Sequence, residues 1–362
     1  MSRHLEGWEW RKSKKSLEKK ARAKAKHFAD EIAEDAGNES AFVSEIEKDR
    51  KAVVAEVKWG KFTVLLNDKI LTGVPLGPKL DPKLGGYVVP GDHVEIIQEG
   101  LKHYISSIQK RTTNFSRFKI DSTRRNGKTY ERVIAANIDV AAIIASARDP
   151  PFHPRLVDRY LIITQKNNIE PIICINKSDL TGEEGRNLLD NYKQLGAKII
   201  FTSTITNEGI EELKGLLRGK QAIFVGHSGV GKSSLINAIT GKSGIKVGEV
   251  SEKTGKGKHT TTSSILYKWG TGSYIIDTPG VRVISLLGVT PRELQLYFSE
   301  FSDYMPNCKY SDCNHRDMQE NDCGIMQAVK QGSIPQWWYD SYIRILDEIS
   351  PVVSSTNRMS RG

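Results

Sequence analysis

A multidomain chain is predicted: a small β-barrel, then an open and mostly parallel α/β sheet, then a mainly α, metal-binding segment. Three observations predict it. Short strand-like runs separated by turns fill residues 46–110. Five short apolar runs alternate with helix-like stretches across 133–288. Three cysteines and a histidine fall within sixteen residues, Cys308 to Cys323, inside a C-terminal stretch of helical pattern.

At 362 residues the chain has room for two or three cores. A hydrophobic content of 38% and a mean hydropathy of −0.42 fit a globular protein with polar extensions. No run approaches the length of a membrane span, so no membrane partner is expected. The opening "MSRHLEGWEWRKSKK" lacks the apolar segment of a secretory signal, which makes the cytoplasm the expected compartment. A monomer is the default expectation.

The first element, residues 1–45, is a basic arm. Leu17, Phe28 and Ile32 are too sparse for a continuous apolar stripe, so it is read as a flexible or loosely helical segment that orders on a partner. Residues 1–28 hold ten Lys/Arg against three Glu, and residues 110–132 hold eight against two acids. The net charge of +10 thus sits in two short segments, leaving the rest slightly acidic. Charge so concentrated points to a polyanion, nucleic acid ahead of membrane.

Residues 46–110 read as β. "AVVAEVKWGKFTVLL" is two strands about a Trp-Gly-Lys turn, and "VVPGDHVEII" and "HYISSI" follow. Short strands at this spacing suggest a small β-barrel, with the OB type as one candidate and a generic β-domain as the plain alternative. A basic connector, 111–132, leads to the runs "VAAIIA", "PIICI", "AKIIF", "QAIFV" and "SYIID", which read as buried strands of a largely parallel sheet over 133–288. Over 289–362 the pattern turns helical. "TPRE", 290–293, places Thr at the N-cap, Pro at the first helical position and Glu two further on, and "PQWWYDSYIRILDEI" reads as a final helix.

The chemistry lies in four short motifs and one cluster. Gly226, Gly231, Lys232 and Ser233 satisfy G-x-x-x-x-G-K-[ST] between a strand and a helix. In a phosphate loop Gly226, His227, Ser228, Gly229, Val230 and Gly231 wrap the anion with backbone N–H groups. Lys232 reaches the β/γ oxygens, Ser233 ligates Mg²⁺, and Ser234 continues the helix that opens there. "DTPG", 277–280, puts Asp277 where it can hold Mg²⁺, directly or through water, and the Gly280 N–H where it can meet the γ-phosphate. Between the two, "GKGKHTTTSS" is a Gly- and Thr-rich segment suited to offering a hydroxyl to Mg²⁺ and γ-phosphate; Thr260 and Thr261 are both candidates.

"NKSD", 176–179, follows an apolar strand, at the strand end where open α/β sheets bind ligands. The Asp179 carboxylate can accept from the guanine N1–H and 2-amino group together, a donor pair adenine lacks. Asn176 braces the loops and the Lys177 stem packs over the base. "TST", with Ser203 and Thr204, completes the base pocket. The set reads as a GTP site and disfavours an ATPase or kinase. Finally, Cys308, Cys313, His315 and Cys323 supply three thiolates and an imidazole, a closed tetrahedral set for structural Zn²⁺.

In an ordinary GTPase the base motif comes after the phosphate loop; here it precedes it. The order resembles the circularly permuted GTPases. In combination with a barrel before and a Cys-Cys-His-Cys module after, the chain resembles the RsgA (YjeQ) family of ribosome small-subunit-dependent GTPases. "AANID" (135–139), "GHSGVGKSSLIN", "GKGKHTTT", "DTPG" and the cysteine spacing carry the likeness, over nearly everything beyond residue 45. The resemblance implies an N-terminal OB-type barrel, a central circularly permuted α/β P-loop GTPase domain and a C-terminal zinc-binding domain. It further implies GTP hydrolysis, binding to the small ribosomal subunit and its rRNA, and a role in late subunit maturation.

One departure bears on rate. After "DTPG" stands Val281, where many GTPases carry a glutamine that orients the attacking water, and a valine cannot make that hydrogen bond. Slow turnover by the free protein is therefore expected, with the missing group supplied from elsewhere; the resemblance implies that the subunit stimulates hydrolysis and that hydrolysis is coupled to release. His259 is the candidate for an internal replacement, set against its plain reading as a solvated loop histidine.

Overall fold

The computed structural model describes residues 50–58, 60–120, 129–180, 182, 190–195, 197–241, 245–246, 264–278, 286, 288–316 and 318–350. The arm, the Gly/Thr-rich segment with His259, Thr260 and Thr261, and the positions Gly280 and Val281 lie outside these residues.

The first sheet has five antiparallel strands: β1 (Arg50–Lys58), β2 (Lys61–Leu66), β3 (Lys69–Val74), β4 (His93–Glu99) and β5 (Lys102–Ile108). Their order is β3-β2-β1-β4-β5. The turn between β2 and β3 is the pair Asn67–Asp68, both at positive φ (44° and 67°), as a two-residue hairpin demands. Beyond β3 the chain swings back to β5. The Gly77 N–H donates to the Ile105 carbonyl at 2.8 Å, and the Ile105 N–H to the Pro75 carbonyl at 3.0 Å. The two edges are thereby joined around a core that includes Val54, Phe62, Val64, Val94 and Ile105.

The described residues of the basic connector are structured. They form most of a two-stranded ribbon, β6 (Asn114–Ile120) and β7 (Thr129–Ala136). Just before it, Arg111 grips the buried Asp92 beside the first sheet through two hydrogen bonds, Nε at 2.6 Å and Nη2 at 2.8 Å. One cation of the basic stretch therefore serves the fold.

The second sheet has seven strands: β8 (Val140–Ser146), β9 (Glu170–Asn176), β10 (Lys198–Thr202), β11 (Gln221–Val225), β12 (Ile245–Lys246), β13 (Ile265–Gly270) and β14 (Ser273–Asp277). Its order is β10-β9-β8-β11-β14-β13-β12, parallel from β10 to β14 and antiparallel beyond. The chain enters at β8, steps outward through β9 and β10, then returns to lay β11 beside β8. The reversal between β8 and β11 is the place where such sheets bind ligands.

Both faces are covered, as a parallel sheet requires. Along β8, Ala141 and Ile143 face one core while Val140, Ala142 and Ile144 face the other. The first core packs on helix α1 (Pro154–Lys166) and the short α2 (Asp190–Gln194). The second packs on α3 (Ile210–Leu217) and α4 (Lys232–Thr240).

The C-terminal segment comprises α5 (Pro291–Leu294), α6 (Gly324–Lys330) and α7 (Gln336–Ile349). The Thr290 capping box forms as the sequence predicts, yet α5 is a single turn. Phe298 leaves helical backbone (φ −104°, ψ 88°) and packs with Phe301, Trp338 and Tyr342, so burial of an aromatic cluster wins over propagation of the helix. This cluster is continuous with the core under α1. There the buried Asp158 accepts from Tyr192 of α2 (2.7 Å) and from Ser341 of α7 (2.5 Å). Burial pushes the Asp158 carboxyl above its ordinary range, against those two hydrogen bonds. Among the described residues no helix is long and apolar enough to cross a membrane.

Candidate functional site

The phosphate loop links the C-terminal end of β11 to the N-terminus of α4, the arrangement that aims amide N–H groups at an anion. Two of its glycines are obligatory. At Gly226 (φ +143°) a Cβ would stand 2.0 Å from the Ile144 carbonyl oxygen of β8. At Gly231 (φ +92°) it would stand 2.2 Å from Asn176 Nδ2. Val230 is buried, whereas Ser228 and Gly229 at the bend, and Ser233 and Ser234 in the first turn of α4, are exposed.

Lys232 folds over the loop and donates to the carbonyls of Gly226 (2.9 Å) and His227 (2.8 Å). Burial lowers its pKa while the Asp277 carboxylate opposes that shift. Asp277 closes β14 in register with Phe224 of β11, and the next residue, Thr278, donates its hydroxyl to the Phe224 carbonyl at 3.1 Å. His227 lies beside His153, ring centroids 5.4 Å apart, and contacts the Ser228 carbonyl through Nδ1 at 2.8 Å.

The base motif meets this loop directly. Asn176, the last residue of β9, donates Nδ2–H to the Val230 carbonyl at 2.8 Å and accepts from the Thr202 hydroxyl at 3.2 Å. Lys177 adopts a positive φ of 59° and donates to the Asp149 carbonyl at 2.5 Å. Asp179 is exposed, with one carboxylate oxygen accepting from Ser203 Oγ at 2.6 Å. Ser203 Oγ in turn accepts from the N–H groups of Ile205 and Thr206, both at 3.2 Å, while Thr204 beside it is half-buried. Residues more than fifty positions apart are thus brought side by side, with Asn176 as the shared brace.

Sequence reasoning missed the supports. Glu208 accepts from Ser178 Oγ at 2.5 Å, and its carbonyl accepts from the Ser203 N–H at 3.0 Å. Tyr160 of α1 accepts from the Gly226 N–H at 3.1 Å. Tyr160 sits on the apolar face of an amphipathic helix, so no local pattern separates it from the core.

Replacing Gly231 by alanine is expected to raise the nucleotide dissociation constant by roughly a hundredfold. The left-handed backbone costs an L-residue about 1–2 kcal/mol, and the new methyl displaces the Asn176 amide. A fluorescent-nucleotide titration checks this, with the variant's melting curve as the control for folding.

The metal-ligating set is also assembled. The ligand atoms of Cys308, Cys313, His315 and Cys323 all lie within 4.8 Å of one another, and none of the cysteines is in a disulfide. His315 Nε2 contacts Gln295 Oε1 at 2.7 Å, and Nδ1 faces the Cys308 and Cys323 sulfurs at 3.6 and 3.5 Å. An amide oxygen at Nε2 selects the tautomer whose Nδ1 lone pair is available to a metal. Tyr339 and Tyr342 of α7 donate to the carbonyls of His315 (2.7 Å) and Asn314 (3.0 Å), fixing the knuckle to the helix. The donor set and its buried cradle fit a tetrahedral metal ion.

Residues 108–287 match the family model described as RsgA GTPase. Among curated proteins, the small ribosomal subunit biogenesis GTPase RsgA of Chlorobaculum tepidum is 42% identical over 273 residues, which are 73% of this chain and 86% of that protein. The protein of the same name from a Geobacillus species is 36% identical over 72% of this chain and 84% of its own length. Among solved structures, YjeQ from Thermotoga maritima superposes with a TM-score of 0.66 at 30% identity, covering 83% of this chain and 98% of that one. YloQ, described as a circularly permuted GTPase, gives 0.61 at 25% identity, covering 85% and 98%.

Proposed function

Because the chain belongs to the RsgA GTPase family, we propose that it binds the small ribosomal subunit and its rRNA late in subunit biogenesis and leaves on hydrolysing GTP. The chain is a circularly permuted GTPase, and hydrolysis of GTP with Mg²⁺ is its reaction. The observation that carries the site assignment is the Asn176–Val230 hydrogen bond, which locks the base-reading loop to the phosphate loop in a single cleft.

Within that cleft Asp179 selects guanine, the Lys177 stem covers the base, and Ser203 and Thr204 close the pocket. The exposed Asp179 carboxylate, held by Ser203, supports this assignment. Beyond the Gly226 corner, the amides from His227 to Gly231 wrap the phosphates. On nucleotide binding Lys232 exchanges its two carbonyls for β/γ oxygens. Ser233 ligates Mg²⁺, with Thr260 or Thr261 as the second hydroxyl, and Asp277 holds the ion directly or through water. The Gly280 N–H meets the γ-phosphate. Val281 leaves the attacking water without a glutamine, and His259 is the internal candidate to orient it.

The domain reading follows the same lines: an arm (1–45), an OB-type barrel (46–110), a basic connector (111–132), the GTPase domain (133–288) and a zinc-binding helical domain (289–362). The edge-joining bonds at Ile105 support the barrel. The arm and the basic connector supply the positive charge that rRNA requires, and a barrel of OB type beside them suits an RNA ligand. The four ligands Cys308, Cys313, His315 and Cys323 hold a structural Zn²⁺. The protein acts as a cytoplasmic monomer.

Purified protein is expected to hydrolyse GTP slowly, to leave ATP untouched, and to turn over GTP at least tenfold faster with small subunits added. Phosphate release measured for both nucleotides, with and without subunits, tests the reading. Equal rates in the two conditions would reduce GTP to a structural ligand of an RNA-binding factor.

A further inference from the structure

We infer that Tyr160 is a positioning residue for the phosphate loop, fixing its first peptide from beneath so that the loop is shaped before nucleotide arrives. The inference rests on the reading of 226–234 as the nucleotide site. Its grounds are geometric. Tyr160 is fully buried in the middle of α1, and its hydroxyl oxygen lies 3.1 Å from the Gly226 nitrogen, accepting that N–H. Burial pushes its phenol upward, so the group stays neutral in any ordinary buffer.

Gly226 needs such a tether. Its φ of +143° and its closeness to the Ile144 carbonyl exclude a side chain, so nothing but its own peptide groups can pin it. The carbonyl of Gly226 is held by Lys232, but that ammonium must leave to reach a phosphate. The N–H held by Tyr160 is the bond that survives the exchange. It keeps the strand-to-loop corner fixed while the amides further along take up the anion. A corner fixed in advance lowers the ordering cost of binding.

The preceding residues of α1 give this tether a rigid base. Asp158 is bound to α2 and α7, and Arg159 pairs with Glu348 of α7. Three consecutive side chains thus tie one helix to the C-terminal module and to the phosphate loop.

The test is Tyr160→Phe in the full chain, which keeps the ring and removes the phenol oxygen. Tyr192→Phe serves as the matched control, because it deletes a phenol hydrogen bond to Asp158 in the same core without touching the loop. With a fluorescent GDP analogue, Tyr160→Phe is expected to weaken binding on the order of tenfold, the size of effect expected when a buried N–H loses its acceptor. Its kcat at saturating GTP should stay within about twofold of the parent, so the loss appears in KM. Tyr192→Phe should lower the melting temperature and leave the dissociation constant alone.

If both variants lose stability alike and both bind the analogue as the parent does, Tyr160 is a core residue and the inference fails. A parent that binds no nucleotide overturns both this inference and the functional reading; a parent that binds with an unaffected Tyr160→Phe overturns this inference alone. Amide exchange in the unmodified, nucleotide-free protein gives a check independent of any variant. The Gly226 N–H should exchange far more slowly than those of Ser228 and Gly229, and fast exchange at Gly226 refutes the tether.

Discussion

Asp179→Asn is expected to cost the protein its guanine selectivity and to transfer preference to xanthine nucleotides. The carboxylate is acceptor-only and so complements two adjacent donors of the base; an amide turns an NH₂ toward one of them. A site built to make particular hydrogen bonds rejects a ligand that cannot satisfy them by ~10⁴-fold or more. The loss of GTP affinity should therefore run to three or four orders of magnitude, as a rough scale. Xanthine carries a carbonyl where guanine has its amino group, so XTP restores a matched pair with the amide. Ser203, which donates to Asp179 Oδ1, can equally donate to the new amide oxygen, so the loop itself need not rearrange. Competition of GTP, XTP and ATP against a fluorescent analogue measures the outcome, and unchanged selectivity would remove GTP as the ligand.

Cys323→Ser is expected to abolish metal retention and to unfold the C-terminal module. A zinc ion on three thiolates and an imidazole contributes on the order of 10 kcal/mol of apparent folding free energy at neutral pH. Cys323 is fully buried and stands at the N-cap of α6, so its loss empties a position the module is built around. The damage should spread, because Cys313 and Cys323 belong to the same continuous core as Val157 and Tyr160 of α1. Zinc analysis after gel filtration should fall from about one ion per chain to none. The melting transition should drop steeply and broaden. A serine variant that keeps its zinc and melts with the parent would show that the cluster does not hold the module together.

What the chain disclosed in advance followed from local chemistry. The strand-loop-helix context of 221–240, the carboxylate of Asp179 and the cysteine cluster all depend on residue types at short spacing; the strand and helix form around the loop, and the cysteines gather with His315. The sheet order beyond β14 was less accessible, since β13 and β12 join the sheet by antiparallel pairing whose register is not readable from either segment alone. Within the basic connector the charges stood out, but not the ribbon, whose pairing depends on cross-strand register that no single segment declares. The one-turn α5 depended on an aromatic cluster assembled with residues of α7, some forty positions along the chain. Tyr160 and Glu208 were illegible for the same reason: their roles exist only relative to a loop brought near by the fold.

The returning path of the second sheet also has a mechanical side. The chain enters that sheet at β8 and leaves it at β14, and both pair in parallel with β11. A pull between the N-terminal sheet and the C-terminal helical segment therefore enters at the start of β8 and exits at the end of β14. It loads the two ladders of β11 lengthwise, in shear, so that their hydrogen bonds share the force and yield together. The outer strands β9, β10, β12 and β13 lie off that line. Tension between two sites of attachment would thus run through the strand that ends at the phosphate loop, before any peripheral part of the domain bears load.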